Sequence, residues 1–190
     1  MSKGRLEAFS DAVVAILITI MVLELRVPEG ADWVAVRPVA PSLLTYVLSF
    51  VFLGVYWNNH HHMLQLADRI NGAILWANLY LLFWLSLVPF VTAWMGENHF
   101  APLPTAVYGA VLLMCGLAYL LLQTTIIRHQ GAASRLAAAV GDDLKGKLSG
   151  VLYAVAILLA FVNRWISIGI YVVVALMWLI PDPRIEAKLR

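Results

Sequence analysis

"RLEAFSDAVVAILITIMVLEL", residues 5–25, is the stretch that decides the fold. Its second half is an apolar run of the kind that crosses a lipid bilayer. Asp11 stands at the start of this run and Glu24 near its end. These acids bracket the apolar core and no A-x-A pattern follows closely, which argues against a cleaved signal peptide. The sequence therefore predicts a first membrane-spanning helix that carries an acid at its edge.

The composition of the chain is that of an integral membrane protein. Of its 190 residues, 62% are hydrophobic and 13% are charged, whereas soluble domains are about 45–50% apolar and about 25% charged. The formal net charge of +2 is too small to indicate nucleic-acid binding. Seven tryptophans and seven tyrosines suit two interfacial belts. The single Cys115 excludes an intrachain disulfide.

Six apolar segments predict an all-α integral membrane protein with six transmembrane helices in one domain, residues 1–190. A spanning helix needs about 20 residues, and the last two segments are shorter than this. They predict either two thin spanning helices or one hairpin that dips into the bilayer and returns. We favour two spans because Asn163 and Arg164 form a polar tip between them. The six segments are 8–25, 40–57, 74–95, 106–127, 148–162 and 165–180.

The distribution of basic residues predicts the orientation of the chain. Six spans place both termini on one side of the membrane, and that side carries ten of the thirteen lysines and arginines. By the positive-inside rule this side is the cytoplasm, so we expect a multi-pass protein of the cell membrane with both termini cytoplasmic. The ten residues are Lys3, Arg5, Arg69, Arg128, Arg135, Lys145, Lys147, Arg184, Lys188 and Arg190.

A second polar cluster follows the second apolar segment, in "YWNNHHHMLQLADR", residues 56–69. Successive residues of a helix point about 100° apart, so the three histidines His60–His62 cannot share one face, and a metal site is poorly indicated. Hydrogen bonds from these histidines to neighbouring helices are the better interpretation. An acid at membrane depth is costly unless it is paired. Arg5 or one of the three histidines is a natural partner for Asp11.

Helical geometry separates two groups of residues in the first segment. With about 100° per residue, one stripe of the helix surface about 100° wide holds Ala12, Ile16, Thr19, Ile20 and Leu23. Asp11 lies about 140° away from Ile16, so the acid does not share this face. The helix is apolar nearly all round, and geometry alone leaves open whether the stripe packs against another helix.

Two motifs resemble the transmembrane protein 175 family, the lysosomal potassium channels of animals with their shorter prokaryotic relatives. The first motif, R-x-x-x-F-S-D followed by an apolar run, is carried here by Arg5, Phe9, Ser10 and Asp11, with Ile16 and Thr19 beyond them. The second, Y-W-x-N-H-H, is carried by Tyr56, Trp57, Asn59, His60 and His61. A single set of six spans is similar to the prokaryotic members, not to the doubled set of the animal channel.

The resemblance implies a homotetramer in the lipid bilayer, in which the first helix of each subunit lines a central pore for potassium ions. It implies that Ile16 forms the constriction, that Ile20 and Leu23 form further apolar rings, and that Thr19 forms a polar layer where potassium passes transiently. It implies no enzyme activity, no cofactor and no resident metal. An off-pore polar network would tie the first helix to its neighbours through Arg5, Phe9, Ser10, Asp11, Trp57, Asn59, His60 and His61.

The implied function is a cation channel with a modest preference for potassium over sodium and a hydrophobic gate, since a narrow apolar ring can empty of water. Two alternatives stay open. Asp11 and the His60–His62 cluster could carry protons in a proton-conducting or proton-coupled transporter, because histidine has an unperturbed pKa of about 6.5. His60–His62 could instead be metal ligands of a membrane enzyme, although the chain lacks polar residues spread over several helices to build such a site.

Overall fold

A computed structural model describes residues 2–131, 133–141 and 143–179, and the regular structure in these ranges is helical. Two of the helices, α2 and α7, are short and lie in connections between longer ones. The order along the chain is α1 Lys3–Leu23, α2 Trp33–Val36, α3 Ala40–Gln65, α4 Gly72–Ser86, α5 Val88–Glu97, α6 Pro102–Gln130, α7 Arg135–Val140, α8 Leu144–Leu159 and α9 Arg164–Leu179.

The first long helices run antiparallel to one another, as contacts between their ends show. At one end of the bundle, the Lys3 ammonium of α1 donates a hydrogen bond to the carbonyl oxygen of Gln65 at the end of α3, over 3.0 Å. At the opposite end, the Arg26 guanidinium beyond α1 forms an ion pair of 3.0 Å with the Glu97 carboxylate of α5. We call the end that holds Lys3 and Gln65 the basic end.

Four helical stretches are long and apolar enough to cross a membrane, judged by length and composition: Lys3–Leu23, Ala40–Gln65, Gly72–Glu97 and Pro102–Gln130. They contain the greater part of the first four predicted segments. The last two predicted segments fall mainly on α8 and α9, which have 16 residues each in the described part of the chain. At about 1.5 Å per residue such a helix is about 24 Å long, shorter than the hydrocarbon core of about 30 Å. The predicted end at residue 180 lies outside the described residues.

Several helix boundaries differ from the predicted ones. The helix α3 continues beyond the predicted end at Trp57, and α1 begins before the predicted start at residue 8. Hydropathy marks the part of a helix that lies in the hydrocarbon core. The helix itself continues into the polar residues at the membrane interface, so it is longer than the apolar segment. The third segment, predicted as one helix over 74–95, is interrupted at Leu87 between α4 and α5. Pro89 explains the interruption, because proline has no N–H to offer the carbonyl of Leu85.

The helix α6 lies at the centre of the subunit, against α4, α5, α8 and α9. Its core side chains Tyr108, Leu112 and Cys115 are fully buried. Polar groups in this core are paired: the Ser49 hydroxyl lies 2.9 Å from the Tyr108 hydroxyl and 2.6 Å from that of Thr92. The helix α1 lies at the edge of the bundle, and its main contacts are with α3, α4 and α5. One face of α1 is therefore left uncovered in the described subunit.

The helices α8 and α9 form an antiparallel hairpin on the other side of α6. Near the start of α8, the Trp178 indole of α9 donates to the Ser149 hydroxyl over 2.8 Å. At the other end of the hairpin, the Trp165 ring lies 5.5 Å from the Phe100 ring, which belongs to the connection between α5 and α6. The predicted polar tip is the turn between the helices, where the Asn163 side chain accepts the N–H of Trp165.

Candidate functional site

The predicted stripe of α1 is exposed in the subunit. The exposed fractions of Ile16, Ile20 and Leu23 are 55%, 39% and 82%, and Ala12 and Thr19 are also exposed. The side of α1 that packs against the bundle is centred about 120° away from the stripe. Its buried residues are Leu6, Ser10, Val14, Leu17 and Met21. The stripe thus lies on the side of α1 that faces away from its buried contacts.

Thr19 is the polar member of this exposed face. Its hydroxyl donates a hydrogen bond of 2.9 Å to the carbonyl oxygen of Ile16, one turn earlier in α1. A hydroxyl group has one donor and two acceptor lone pairs, so this bond uses the only proton. The oxygen that remains can interact with a cation but not donate to an anion.

A buried hydrogen-bond chain joins α3, α4 and α1. His60 Nε2 lies 2.7 Å from Asn78 Oδ1, and the Asn78 amide group donates to the Ser10 hydroxyl over 3.0 Å. Ser10 in turn donates to the Leu6 carbonyl oxygen over 2.9 Å. With the amide nitrogen facing Ser10, the amide oxygen faces His60, and this assignment makes His60 the donor through Nε2. The three side chains are at most 6% exposed, so the chain fixes α1 from inside the subunit.

Asp11 is held by the tryptophan of the second motif. The Trp57 indole N–H donates to the Asp11 carboxylate over 3.0 Å, whereas Arg5 or one of His60–His62 was the expected partner. Arg5 precedes Asp11 by six residues, which separates the two by about 120° around the helix and about 9 Å along it. The Arg5 side chain is exposed. The acid at the edge of α1 therefore anchors that helix to α3.

The remaining residues of the predicted network are divided between this anchor and the surface. The His61 ring stacks on Trp57 with 6.1 Å between ring centroids. Phe9 is 48% exposed. The Asn59 side chain donates to the Val55 carbonyl oxygen within α3, so it does not reach α1. The structure brings together Ser10, Asp11, Trp57, His60 and His61, and it leaves Arg5, Phe9 and Asn59 outside.

Asn78 is the member of this hydrogen-bond chain that the sequence motifs did not reveal. It connects His60 to Ser10, and it is fully buried. The signal was present, because Asn78 is a lone amide in the apolar run "AILWANLYLLFW", residues 73–84. A polar side chain within a membrane helix tends to bond across to a neighbouring helix. What the sequence did not show was which helices would lie beside it.

The histidines do not converge on a common point. His60 faces Asn78 of α4, whereas His61 Nε2 lies 2.8 Å from the Gln65 amide nitrogen one turn later in α3. Over the described ranges, no group of three or more His, Cys, Asp or Glu side chains is arranged to hold a metal ion. This arrangement gives no support to the membrane-enzyme alternative.

These features define a multi-pass helical membrane protein, and comparison with known proteins identifies it as an ion channel. Residues 5–89 match the model of the family described as the endosomal/lysosomal potassium channel TMEM175. The chain is 53% identical, over its full length and 99% of the relative, to a potassium channel of Chryseobacterium sp. (strain P1-3). The chain belongs to the TMEM175 family.

A solved structure and a more distant relative extend this comparison. The crystal structure of a lysosomal potassium-selective channel TMEM175 homolog from Chamaesiphon minutus superimposes with a TM-score of 0.78 at 31% identity. The match covers 93% of this chain and 96% of that one. The human endosomal/lysosomal proton channel TMEM175 is 27% identical over 90% of this chain, which corresponds to 38% of the human protein.

Proposed function

We propose that this protein is a potassium-selective cation channel of the cell membrane, a homotetramer of six-span subunits with both termini cytoplasmic. Four copies of α1 surround the pore, and the stripe of each copy lines it. The observation that carries the proposal is the exposure of the stripe on the side of α1 that faces away from the rest of the subunit.

The side chains of the stripe suit a hydrophobic gate. Rings of Ile16, Ile20 and Leu23 offer no oxygen atoms to replace the water around an ion, and a narrow apolar ring blocks conduction when it empties of water. When the ring is wide enough to pass ions, it favours those that lose water most easily, and potassium holds water less tightly than sodium. The Thr19 oxygen, with its proton engaged by Ile16, presents lone pairs to partly hydrated cations beside the ring.

The hydrogen bonds that hold α1 support this role. The chain from His60 through Asn78 to Ser10 fixes one side of the helix, and the Trp57–Asp11 bond fixes another. A pore-lining helix needs a defined rotation, since a turn of about 100° replaces each lining residue by its neighbour. In this proposal Asp11 sets the rotation of α1 and does not bind the permeating ion.

The relatives and the α8–α9 hairpin support the remaining parts of the proposal. Relatives at 53%, 33% and 31% identity are named potassium channels. Within the hairpin, the Trp178 indole bonds to Ser149 near the basic end, and the Trp165 ring contacts the Phe100 ring of the α5–α6 connection at the opposite end. Two thin spanning helices agree better with these contacts than a hairpin that turns back midway through the bilayer.

Proton conduction is the second candidate function, because the human relative is named a proton channel. The geometry of this chain favours it less. The hydrogen-bond chain from His60 ends on the backbone carbonyl of Leu6. A carbonyl oxygen accepts a hydrogen bond but has no proton of its own to pass on. Asp11 is bonded to an indole N–H, which is a donor only.

A flux assay with two arms tests the proposed function. Purified protein is reconstituted into vesicles loaded with potassium, which are diluted into sodium buffer with a dye that reports proton uptake. In the first arm a proton ionophore completes the circuit, so uptake requires potassium efflux through the protein. In the second arm valinomycin carries potassium and the ionophore is omitted, so uptake requires protons to pass through the protein.

We expect uptake in the first arm, because net potassium efflux against inward sodium requires a pore that prefers potassium, and uptake equal to that of empty vesicles in the second arm. Valinomycin and ionophore together confirm that the vesicles are intact. Proton uptake in the second arm alone would contradict the potassium-channel proposal and support proton conduction.

A further inference from the structure

A cavity of about 570 Å³ lies between α3, α6 and α8, away from the stripe of α1. Its volume is within the range of about 300–1,000 Å³ that is usual for ligand pockets. Its wall includes Phe52 of α3, Leu113 of α6 and Ala154 of α8, and Trp178 of α9 also lines it. Nothing in the channel mechanism uses this space.

The cavity is polar at one end and apolar at the other. Asn59 of α3 and Lys147 of α8 line it towards the basic end of the bundle. Seven residues separate Asn59 from Phe52 and Lys147 from Ala154, which is about 10 Å along each helix. The wall therefore changes from polar to apolar over roughly two helical turns, from the membrane surface inwards. This is the polarity gradient of an amphiphile that lies along the membrane normal.

The polar end of the cavity favours an anionic group. Asp143 also lines this end, but its carboxylate accepts the N–H of Gly146 over 3.1 Å and caps α8. The positive end of the α8 dipole offsets a carboxylate in that position. Lys147 lines the same end, and the Lys145 ammonium lies 5.9 Å from the centroid of the Trp178 ring beside it. Basic pockets between membrane helices on the cytoplasmic side are typical sites for anionic lipid headgroups.

We propose that this cavity holds one acyl chain of an anionic phospholipid, with the headgroup phosphate beside Lys147. The apolar wall formed by Phe52, Leu113 and Ala154 would contact the chain, and Asn59 would lie near the glycerol region. The occupant comes from the leaflet that faces the basic end. The site is separate from the pore lining, so it stands whether or not the stripe of α1 conducts ions.

Two glycines make a matched test possible. Gly150 lines the cavity, and a Cβ atom added there meets no other atom within 4 Å. Gly150→Leu therefore places a side chain in the cavity without a clash. Gly169 of α9 is exposed, is equally unobstructed and does not line the cavity. Gly169→Leu is the control, because both changes replace a helical glycine by the same residue.

The experiment is native mass spectrometry of the full chain after equilibration with equal amounts of phosphatidylglycerol and phosphatidylcholine. We expect wild type and Gly169→Leu to retain one phosphatidylglycerol per subunit and Gly150→Leu to lose it. Lys147→Gln is expected to reduce the preference for phosphatidylglycerol by about fivefold, since one lysine near an anionic surface contributes about 1 kcal/mol.

Size-exclusion profiles and thermal unfolding show that each variant is folded. If Gly150→Leu does not fold, Gly116→Leu replaces it, since its added Cβ comes no closer than 3.8 Å, to the Tyr56 hydroxyl. Retention of phosphatidylglycerol by a folded cavity-filled variant would overturn the proposal. Equal retention of the two lipids by wild type, or the absence of any retained lipid, would overturn it as well.

Discussion

His60 of α3 and Asn78 of α4 are joined by a hydrogen bond of 2.7 Å between two side chains that are 6% and 0% exposed. Asn78 passes this connection to Ser10 of α1 over 3.0 Å. One amide thus links three helices at the point where the exposed helix α1 meets the rest of the subunit. The amide oxygen accepts from the buried His60 imidazole, and the amide nitrogen donates to the Ser10 hydroxyl, whose own proton goes to the Leu6 carbonyl oxygen.

Asn78→Ala is therefore expected to lower the free energy of unfolding by about 1–3 kcal/mol, because it leaves the buried His60 Nε2 donor unpaired and removes the bond that Ser10 accepts. Thermal or denaturant unfolding of the purified protein in detergent measures the change. Asn59→Ala is the matched control, since the Asn59 side chain bonds to the Val55 carbonyl oxygen within its own helix. Equal losses for the two variants would show that the Asn78 bridge does not stabilise the fold.

Substitution of Asp11 distinguishes an anchor from a proton carrier. Asp11→Asn keeps a side-chain oxygen that can accept the Trp57 indole N–H, so we expect potassium flux and assembly close to wild type. Asp11→Ala removes that acceptor and is expected to reduce the tetramer fraction or alter gating. Size-exclusion chromatography and the vesicle flux assay report the two effects. Loss of all transport in a well-folded Asp11→Asn variant would favour the proton pathway instead.

At Gly96, α5 packs tightly against α3. A Cβ atom added at Gly96 would lie 2.6 Å from the Thr45 hydroxyl oxygen and 2.7 Å from the Ser42 Cα atom. Because a backbone atom cannot move aside as a flexible side chain can, we expect Gly96→Ala to destabilise the protein by about 1–3 kcal/mol.

Gly54→Ala in α3 is the control for this change, since its added Cβ meets no atom within 4 Å. Alanine is the better helix former by about 1 kcal/mol, so Gly54→Ala should be neutral or stabilising in the same unfolding measurement. A Gly96→Ala variant as stable as Gly54→Ala would mean that the two helices separate at little cost.

In the proposed tetramer, the ring formed by the four Ile16 side chains is expected to limit conduction. Ile16→Asn introduces a polar group that keeps water in the ring, and flux should rise about tenfold for every 1.4 kcal/mol by which the barrier falls. Val22→Asn is the control, because Val22 is 46% exposed on the same helix but lies about 120° from Ile16. Vesicle flux at matched protein content measures both. An unchanged or lower flux in folded Ile16→Asn tetramers would contradict the assignment of Ile16 to the constriction.

Much of the fold could be predicted from the sequence through hydropathy and helical periodicity. Hydropathy located the apolar segments because a bilayer of fixed thickness requires them, and each of the six lies mainly on helical residues. Periodicity separated the stripe around Ile16 from Asp11 because both follow from a helix of 3.6 residues per turn. By the same geometry Arg5 and Asp11 lie about 120° apart around the helix, so these two residues do not share a face.

The missing parts depend on which helices become neighbours. Asn78 and Ser10 are far apart in sequence, and only the packing of α4 against α1 makes them partners. Trp57 was expected in the network through the resemblance, but its bond to Asp11 required the relative rotation of α1 and α3. A single sequence shows which side chains are available for such contacts, but it does not show which of them pair.

The most direct test of the central claim is the accessibility of the stripe to a thiol-reactive cation that enters only through the pore. Ile16→Cys and Val22→Cys are each made in a background where the buried Cys115 is replaced by alanine, and potassium currents are recorded as silver ions are added. The account predicts rapid block of Ile16→Cys and no block of Val22→Cys or of the background. Equal block of the two cysteine variants, or no block of a conducting Ile16→Cys channel, would contradict the assignment of the stripe as the pore lining.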